Sequence, residues 1–114
     1  MKIIYVSGKY TGTPEQTRSY IEEAEIASVS LMRLGWGTLT PHKNAGSYEK
    51  YEFANPNLTY DWFISMDLEM LKRCDAIFML KNWTDSKGAK IELEFAQKMG
   101  IPVYFESDGF PIHE

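Results

Sequence analysis

The 114-residue sequence has a single cysteine, Cys74, and two histidines, His42 and His113. One thiol excludes an intrachain disulfide and a thiolate cluster, and two imidazoles fall short of a zinc constellation, so no metal site and no cofactor is expected. No apolar run approaches the roughly 20 residues that span a bilayer, and Met1 leads into a strand-like segment rather than a charged leader with an apolar core. A membrane partner is therefore disfavoured, and the expected location is cytoplasmic. Basic residues are few and scattered: twelve Lys plus Arg against sixteen Asp plus Glu give a net charge of −4. Binding to a nucleic acid polymer needs clustered cations, so that partner is disfavoured too, whereas a small anion held by backbone groups remains open. Repeats and low-complexity stretches are also lacking. The 44% hydrophobic and 25% charged residues are those of a globular chain, and the length fits one domain, residues 1–114, better than two.

What is present is an alternation of strand and helix. Lys2 to Val6 (KIIYV) is a β-branched run too short for a helix and reads as a strand buried on both faces. Thr13-Pro14-Glu15-Gln16 supplies a cap hydroxyl, a proline at the first helical position and an amide three residues after the cap, which opens a helix that Gly35 stops after Leu34. Tyr20, Ala24, Ala27, Leu31 and Leu34 form its buried stripe; Ile26 and Val29 lie outside it. Trp36 to Thr40 is a second strand, and the polar, aromatic-rich stretch from Pro41 to Asn57 reads as a long loop. A helix over Thr59 to Lys72, a strand over Ala76 to Leu80, a loop to Lys87, a helix from Gly88 to Met99 closed by Gly100, and a strand over Ile101 to Phe105 follow. The tail from Glu106 reads as irregular. This order predicts an α/β fold: an open parallel sheet of four to five strands with helices on both faces, Rossmann-like or flavodoxin-like. Ligands of such sheets lie beyond the carboxyl ends of the strands, so the loops after the first three strands are expected to share the site.

Two acids break the helical pattern. At about 100° per residue, Ala89, Ile91, Leu93, Phe95, Ala96 and Met99 fill one arc of their helix, and Glu92 falls near its middle. Asp67 falls near the middle of the arc of Tyr60, Phe63, Ile64, Met66, Met70 and Leu71. A carboxylate turned toward a core costs several kcal/mol unless paired, neutralised or facing a solvated pocket. Either acid alone is as well explained by a cap or an ion pair; both together near one sheet rim favour a functional role. Ser86 and Gly88 open the Glu92 helix with free N–H groups that suit an anion. Gly8, Lys9, Tyr10, Thr11 and Gly12 make a second glycine-bearing loop on the same rim, without the spacing of a phosphate or dinucleotide fingerprint. Tyr10, His42 and Trp83 are placed to stack on or hydrogen-bond a planar ring, or simply to pack their loops.

The stretch DLEMLKRCDAIFMLKNWTDSKGAKIELEFAQKMG from Asp67 to Gly100, with Tyr5-Val6-Ser7-Gly8 and Leu39-Thr40-Pro41-His42, resembles the nucleoside 2-deoxyribosyltransferase superfamily and its 2′-deoxynucleoside 5′-monophosphate N-glycosidase branch. Through Trp83 to Ala89 and its length it is most similar to a small phage and bacterial branch of unassigned function. The resemblance implies a deoxyribosyltransferase-like fold and a small-molecule nucleotide or nucleoside as partner. It implies that Glu92 attacks C1′ of the deoxyribosyl group, that Asp67 assists departure of the base, and that Ser86 meets a 5′-phosphate. Glu94 and Phe95 depart from the pattern, standing where the families carry a small glycine and its neighbour. The expected activity is hydrolysis or transfer at the N-glycosidic bond; the alternatives are a catalytically idle nucleotide-binding module and an NAD-type glycohydrolase. The resembling families are dimers or larger, and Ile26 and Val29 mark an apolar spot on a charged helix side. A homo-oligomer with that helix near its interface is therefore expected.

Overall fold

The computed structural model describes residues 1–41 and 59–113. Its elements in chain order are β1 (Ile3–Ser7), α1 (Pro14–Arg33), β2 (Gly37–Leu39), α2 (Tyr60–Lys72), β3 (Ala76–Met79), α3 (Lys87–Met99) and β4 (Val103–Phe105), with short 3₁₀ turns at Lys81–Asp85 and Glu106–Asp108. The caps are those read from the chain. Thr13 Oγ1 accepts from Gln16 N at 3.2 Å while Thr13 N donates to Gln16 Oε1 at 2.9 Å, a complete capping box. Ser86 Oγ accepts from Ala89 N at 3.0 Å to open α3, and Gly100, at φ 74°, closes it in the left-handed conformation that favours glycine.

The four strands are parallel in the order β2-β1-β3-β4. From β1 the sheet grows one way to β2 and the other way to β3 and β4. The order thus reverses between β1 and β3, and the crevice that such folds use for ligands opens at their carboxyl ends, where Ser7 pairs with Met79.

Period-two alternation sorts the side chains of β1 and β3 onto two faces. Ile4, Val6, Ala76, Phe78 and Leu80 pack against Ala24, Ala27 and Leu31 of α1. Tyr5, Ile77 and Met79 pack against Leu71 of α2 and Ala89 and Ala96 of α3. Helices therefore cover both faces. The segment after β4 closes the α1 side: Phe110 stacks on Phe78 at 5.0 Å between ring centroids, and His113 N donates to Leu34 O at 3.0 Å.

Strand ends differ from the sequence expectation for local reasons. β1 runs through Ser7, which stays in the parallel ladder. β2 is shorter than Trp36 to Thr40: the Trp36 indole N–H donates to Pro111 O at 2.9 Å, and Thr40 Oγ1 shares a 2.6 Å hydrogen bond with Ser28 Oγ. β4 begins at Val103 because Ile101 N still bonds back to Ala96 O at the end of α3. Among the described residues no helix is long and apolar enough to cross a membrane.

Candidate active site

The surroundings of the two acids are assembled from three elements. β1 presents Tyr5 and Ser7, two residues apart, on the face that α2 and α3 cover. α3 brings Glu92 between them, and α2 brings Asp67 alongside. Glu92 is 7% exposed, and its two carboxylate oxygens take different donors. The Tyr5 hydroxyl donates to Oε2, and Ser7 Oγ donates to Oε1 at 2.7 Å. Asp67 has no such support: its Oδ1 is buried and meets no hydrogen-bond partner.

Burial raises both acids above the ordinary carboxylate range. Glu92 is pushed up to about 7 by desolvation and further by the nearby Asp67 charge, against the lowering effect of the Tyr5 and Ser7 hydrogen bonds. Asp67 is pushed up to about 6 by desolvation. Two acids that feel each other's charge release their protons as a pair, and burial and hydrogen bonding together set which of them holds the negative charge. Two donors stabilise the Glu92 anion and none reaches Asp67 Oδ1. With one proton shared, the two hydrogen bonds favour Glu92 as the carboxylate, while its deeper burial favours it as the acid. Tyr5 stays a donor, because burial and the Glu92 charge raise its phenol well above its usual value.

Glu92 and Asp67 line a cavity of about 150 Å³ at the β1/β3 rim. Gly8, Tyr10 and Thr11 from the first loop, Ser86, Lys87 and Gly88 from the start of α3, and an aromatic and aliphatic wall of Tyr60, Phe63 and Ile64 complete it. Gly8 is required by packing: a Cβ there would lie 2.7 Å from both Asn82 Oδ1 and Leu80 Cδ1. At Gly88 a Cβ would come no closer than 3.6 Å to any neighbour, so the missing side chain leaves its space to the cavity.

Of the residues singled out in the sequence, Glu92, Asp67, Gly8, Tyr10, Ser86 and Gly88 come together here. Lys9 and Gly12 do not line the cavity. Lys9 N donates to Asn82 Oδ1 at 2.7 Å and its ammonium sits 5.7 Å from the Tyr20 ring, while a Cβ on Gly12 would meet Gln16. Both shape the loop against α1 rather than face the acids. Trp83 is half-buried against Phe105 at 5.7 Å and is also outside the cavity lining. His42 lies outside the described residues. Sequence reasoning missed Tyr5, which reads as an interior residue of a buried strand; Ser7 and the exposed Lys87 fall in loops expected at the rim, but nothing in the sequence singles them out. The available signal was position: Tyr5 and Ser7 alternate at the carboxyl end of the central strand. Among the described residues no group of three His, Cys, Asp or Glu side chains could hold a metal ion.

No curated protein sequence matches this chain. Solved structures do, among them two 2-deoxyribosyltransferases. A 2-deoxyribosyltransferase from the psychrotolerant bacterium Bacillus psychrosaccharolyticus superposes with a TM-score of 0.62 at 25% identity, over 90% of this chain and 70% of that one. A 2-deoxyribosyltransferase from Leishmania mexicana gives 0.60 at 18% identity, over 92% of this chain and 63% of the other. The fold is thus that of the nucleoside 2-deoxyribosyltransferase-like superfamily. The pattern of the family described as "Domain of unknown function (DUF4406)" matches residues 2–105, and the chain belongs to that family.

Proposed function

We propose that this chain is an enzyme that cleaves the N-glycosidic bond of a 2′-deoxynucleotide or deoxynucleoside, by hydrolysis or by transfer. The reading is carried by one observation: a nearly buried glutamate whose two oxygens each accept a hydroxyl, set beside an acid with an unpartnered oxygen, in one cavity. An ion pair or a cap would have accounted for these acids structurally, and neither has such a partner among the described residues. The likeness to 2-deoxyribosyltransferases supports glycosyl transfer as the general chemistry. A carboxylate oxygen of Glu92 attacks C1′, the bond from C1′ to the base nitrogen breaks, and its electron pair leaves with the base. Asp67 gives the departing base its proton. Water or a second base then displaces Glu92 from C1′ and returns a proton to Asp67, the double displacement of a retaining glycosidase.

The cavity also accounts for a nucleotide. Ser86 Oγ accepts from Ala89 N, which leaves its hydroxyl hydrogen free to donate. It lines the cavity together with Lys87 and the open space at Gly88, a setting that suits a 5′-phosphate. Tyr60, Phe63 and Ile64 offer the apolar wall for a base. On this reading residues 1–114 act as one deoxyribosyltransferase-like domain on a small molecule in the cytoplasm, as a homo-oligomer.

The experiment is incubation with deoxynucleoside monophosphates, deoxynucleosides, ribonucleotides and NAD, with free base read by chromatography. Base release from a deoxyribosyl substrate supports the proposal. Release from NAD alone replaces it with a ribosyl glycohydrolase, and binding without release replaces it with a nucleotide-binding module.

A further inference from the structure

Glu92 is held by two hydroxyls, and they are not equivalent. Tyr5 is a large side chain, fully buried in the cluster with Ile77, Met79 and Leu71, so its ring has a packing role apart from its hydroxyl. Ser7 contributes little apolar surface. It is 1% exposed, and its hydroxyl makes one side-chain hydrogen bond among the described residues, 2.7 Å to Glu92 Oε1. A buried hydroxyl with one partner serves that partner. Tyr5 alone would leave the carboxylate free to turn about its last side-chain bond; the second donor on the other oxygen stops that rotation and fixes the plane of the group. Because Ser7 is the last residue of β1, hydrogen-bonded into the ladder opposite Met79, its own position is rigid.

We propose that Ser7 is a positioning residue that locks the orientation of the Glu92 carboxylate and stabilises its anionic form. This deepens the proposed function and rests on it for its kinetic part. The groups that face Glu92 define the balance. Tyr5 and Ser7 come from β1, Asp67 and the Tyr60 phenol from α2, and the Glu92 charge raises Tyr60 just as it raises Tyr5. Among these only Tyr5 and Ser7 donate to Glu92. Losing Ser7 Oγ removes half of the hydrogen bonding to the anion, while the Asp67 charge and the burial that oppose it remain.

The test is Ser7→Ala, with Ser7→Thr as the variant that restores a hydroxyl. The first measurement needs no activity: the Glu92 carboxyl carbon is titrated by NMR in the labelled protein. Loss of one charge-assisted hydrogen bond should raise its midpoint by about one pH unit in Ser7→Ala, and Ser7→Thr should return it toward the wild type. The second is base release against pH. The acid limb should move up by the same amount and kcat should fall about tenfold, with KM within about twofold, because the lock acts on the nucleophile and not on substrate contacts. A purely structural serine would lower the melting temperature and leave midpoint and acid limb in place. An unmoved Glu92 midpoint in folded Ser7→Ala overturns the proposal. If the wild type releases no base from any substrate, the proposed function fails and the NMR titration still decides the role of Ser7.

Discussion

The two faces of the sheet are built from the same strands and do opposite things. On the α1 face Ile4, Val6, Phe78 and Leu80 meet Ala24, Ala27 and Leu31, and the tail seals them with Phe110. Its buried polar group, Ser28, is satisfied twice, by Ala24 O at 2.7 Å and by Thr40 Oγ1 at 2.6 Å. On the α2/α3 face the same β1 strand carries Tyr5 and Ser7, and a glutamate sits where the helical arc calls for an aliphatic residue. Asp67 Oδ1 is the one buried side-chain oxygen or nitrogen without a partner among the described residues. One strand therefore divides labour by its pleat: even positions hold the fold together, and odd positions hold a carboxylate. Local rules of burial are obeyed on the first face and broken on the second, as expected where stability is traded for chemistry.

Several substitutions would break this contrast or sharpen it. The largest effect on stability belongs to the α1 face. Phe78→Ala removes a fully buried ring and its stacking partner's contact, and should cost about 3–5 kcal/mol by urea denaturation. A cost well under about 1 kcal/mol would mean that this face is not the dry core.

On the other face the acids should weaken the fold at alkaline pH. Their folded pKa values are raised above the unfolded ones, to about 7 for Glu92 and about 6 for Asp67. The stability they contribute is thus fully present below about pH 4 and is lost as pH rises through about 6 to 7. Thermal melts from pH 5 to pH 8 should show that decline in the wild type, and Asp67→Asn should flatten it by about 1 kcal/mol. Parallel curves for the two proteins would count against a raised Asp67. The same pair predicts a bell-shaped rate whose two limbs belong to the pair: activity falls on the acid side where both acids are protonated and on the alkaline side where both are ionised.

A smaller effect is expected at the rim. Monophosphates should bind better than nucleosides, and Ser86→Ala should narrow the difference by about 1 kcal/mol in calorimetry. Equal affinities for both ligand forms in the wild type would remove the phosphate seat. The smallest effect on a single chain is expected on the outside of α1, where Ile26 is 62% exposed, Val29 44% and Met32 53%. Ile26→Glu with Val29→Glu should leave the melting temperature of the chain nearly unchanged while light scattering reports a smaller assembly. An undisturbed oligomer would place the interface elsewhere, and a wild-type monomer at micromolar concentration would reject the assembly.

Much of this contrast is legible in the sequence, but not evenly. The element order and parallel sheet follow from short β-branched runs alternating with capped, periodic helices. Glu92 and Asp67 are visible because a helix has a period long enough to define an apolar arc that a charge can violate. Tyr5 and Ser7 are invisible for the converse reason. KIIYV reads as buried on both faces, so no polar side marks a direction and its tyrosine looks like filling, while Ser7 reads as the start of the loop beyond it rather than as part of the strand. Lys9 and Gly12 share the loop with Gly8 and Tyr10, yet sequence adjacency does not tell which side chains turn toward the rim. Asn82 settles that by bonding Lys9 N and Glu23 across the fold at 2.7 and 3.0 Å, contacts 73 and 59 residues apart that no local pattern encodes.

The central claim is that Glu92 becomes bonded to C1′ of a deoxyribosyl group. Rapid quenching of the protein with a 2′-deoxynucleoside monophosphate, followed by intact-mass and peptide mass spectrometry, tests it most directly. The account predicts a deoxyribosyl phosphate adduct on the peptide carrying Glu92, formed with a burst of free base, and neither adduct nor base release in a folded Glu92→Gln protein. Base release by Glu92→Gln at the wild-type rate, or an adduct on a different residue, would contradict it.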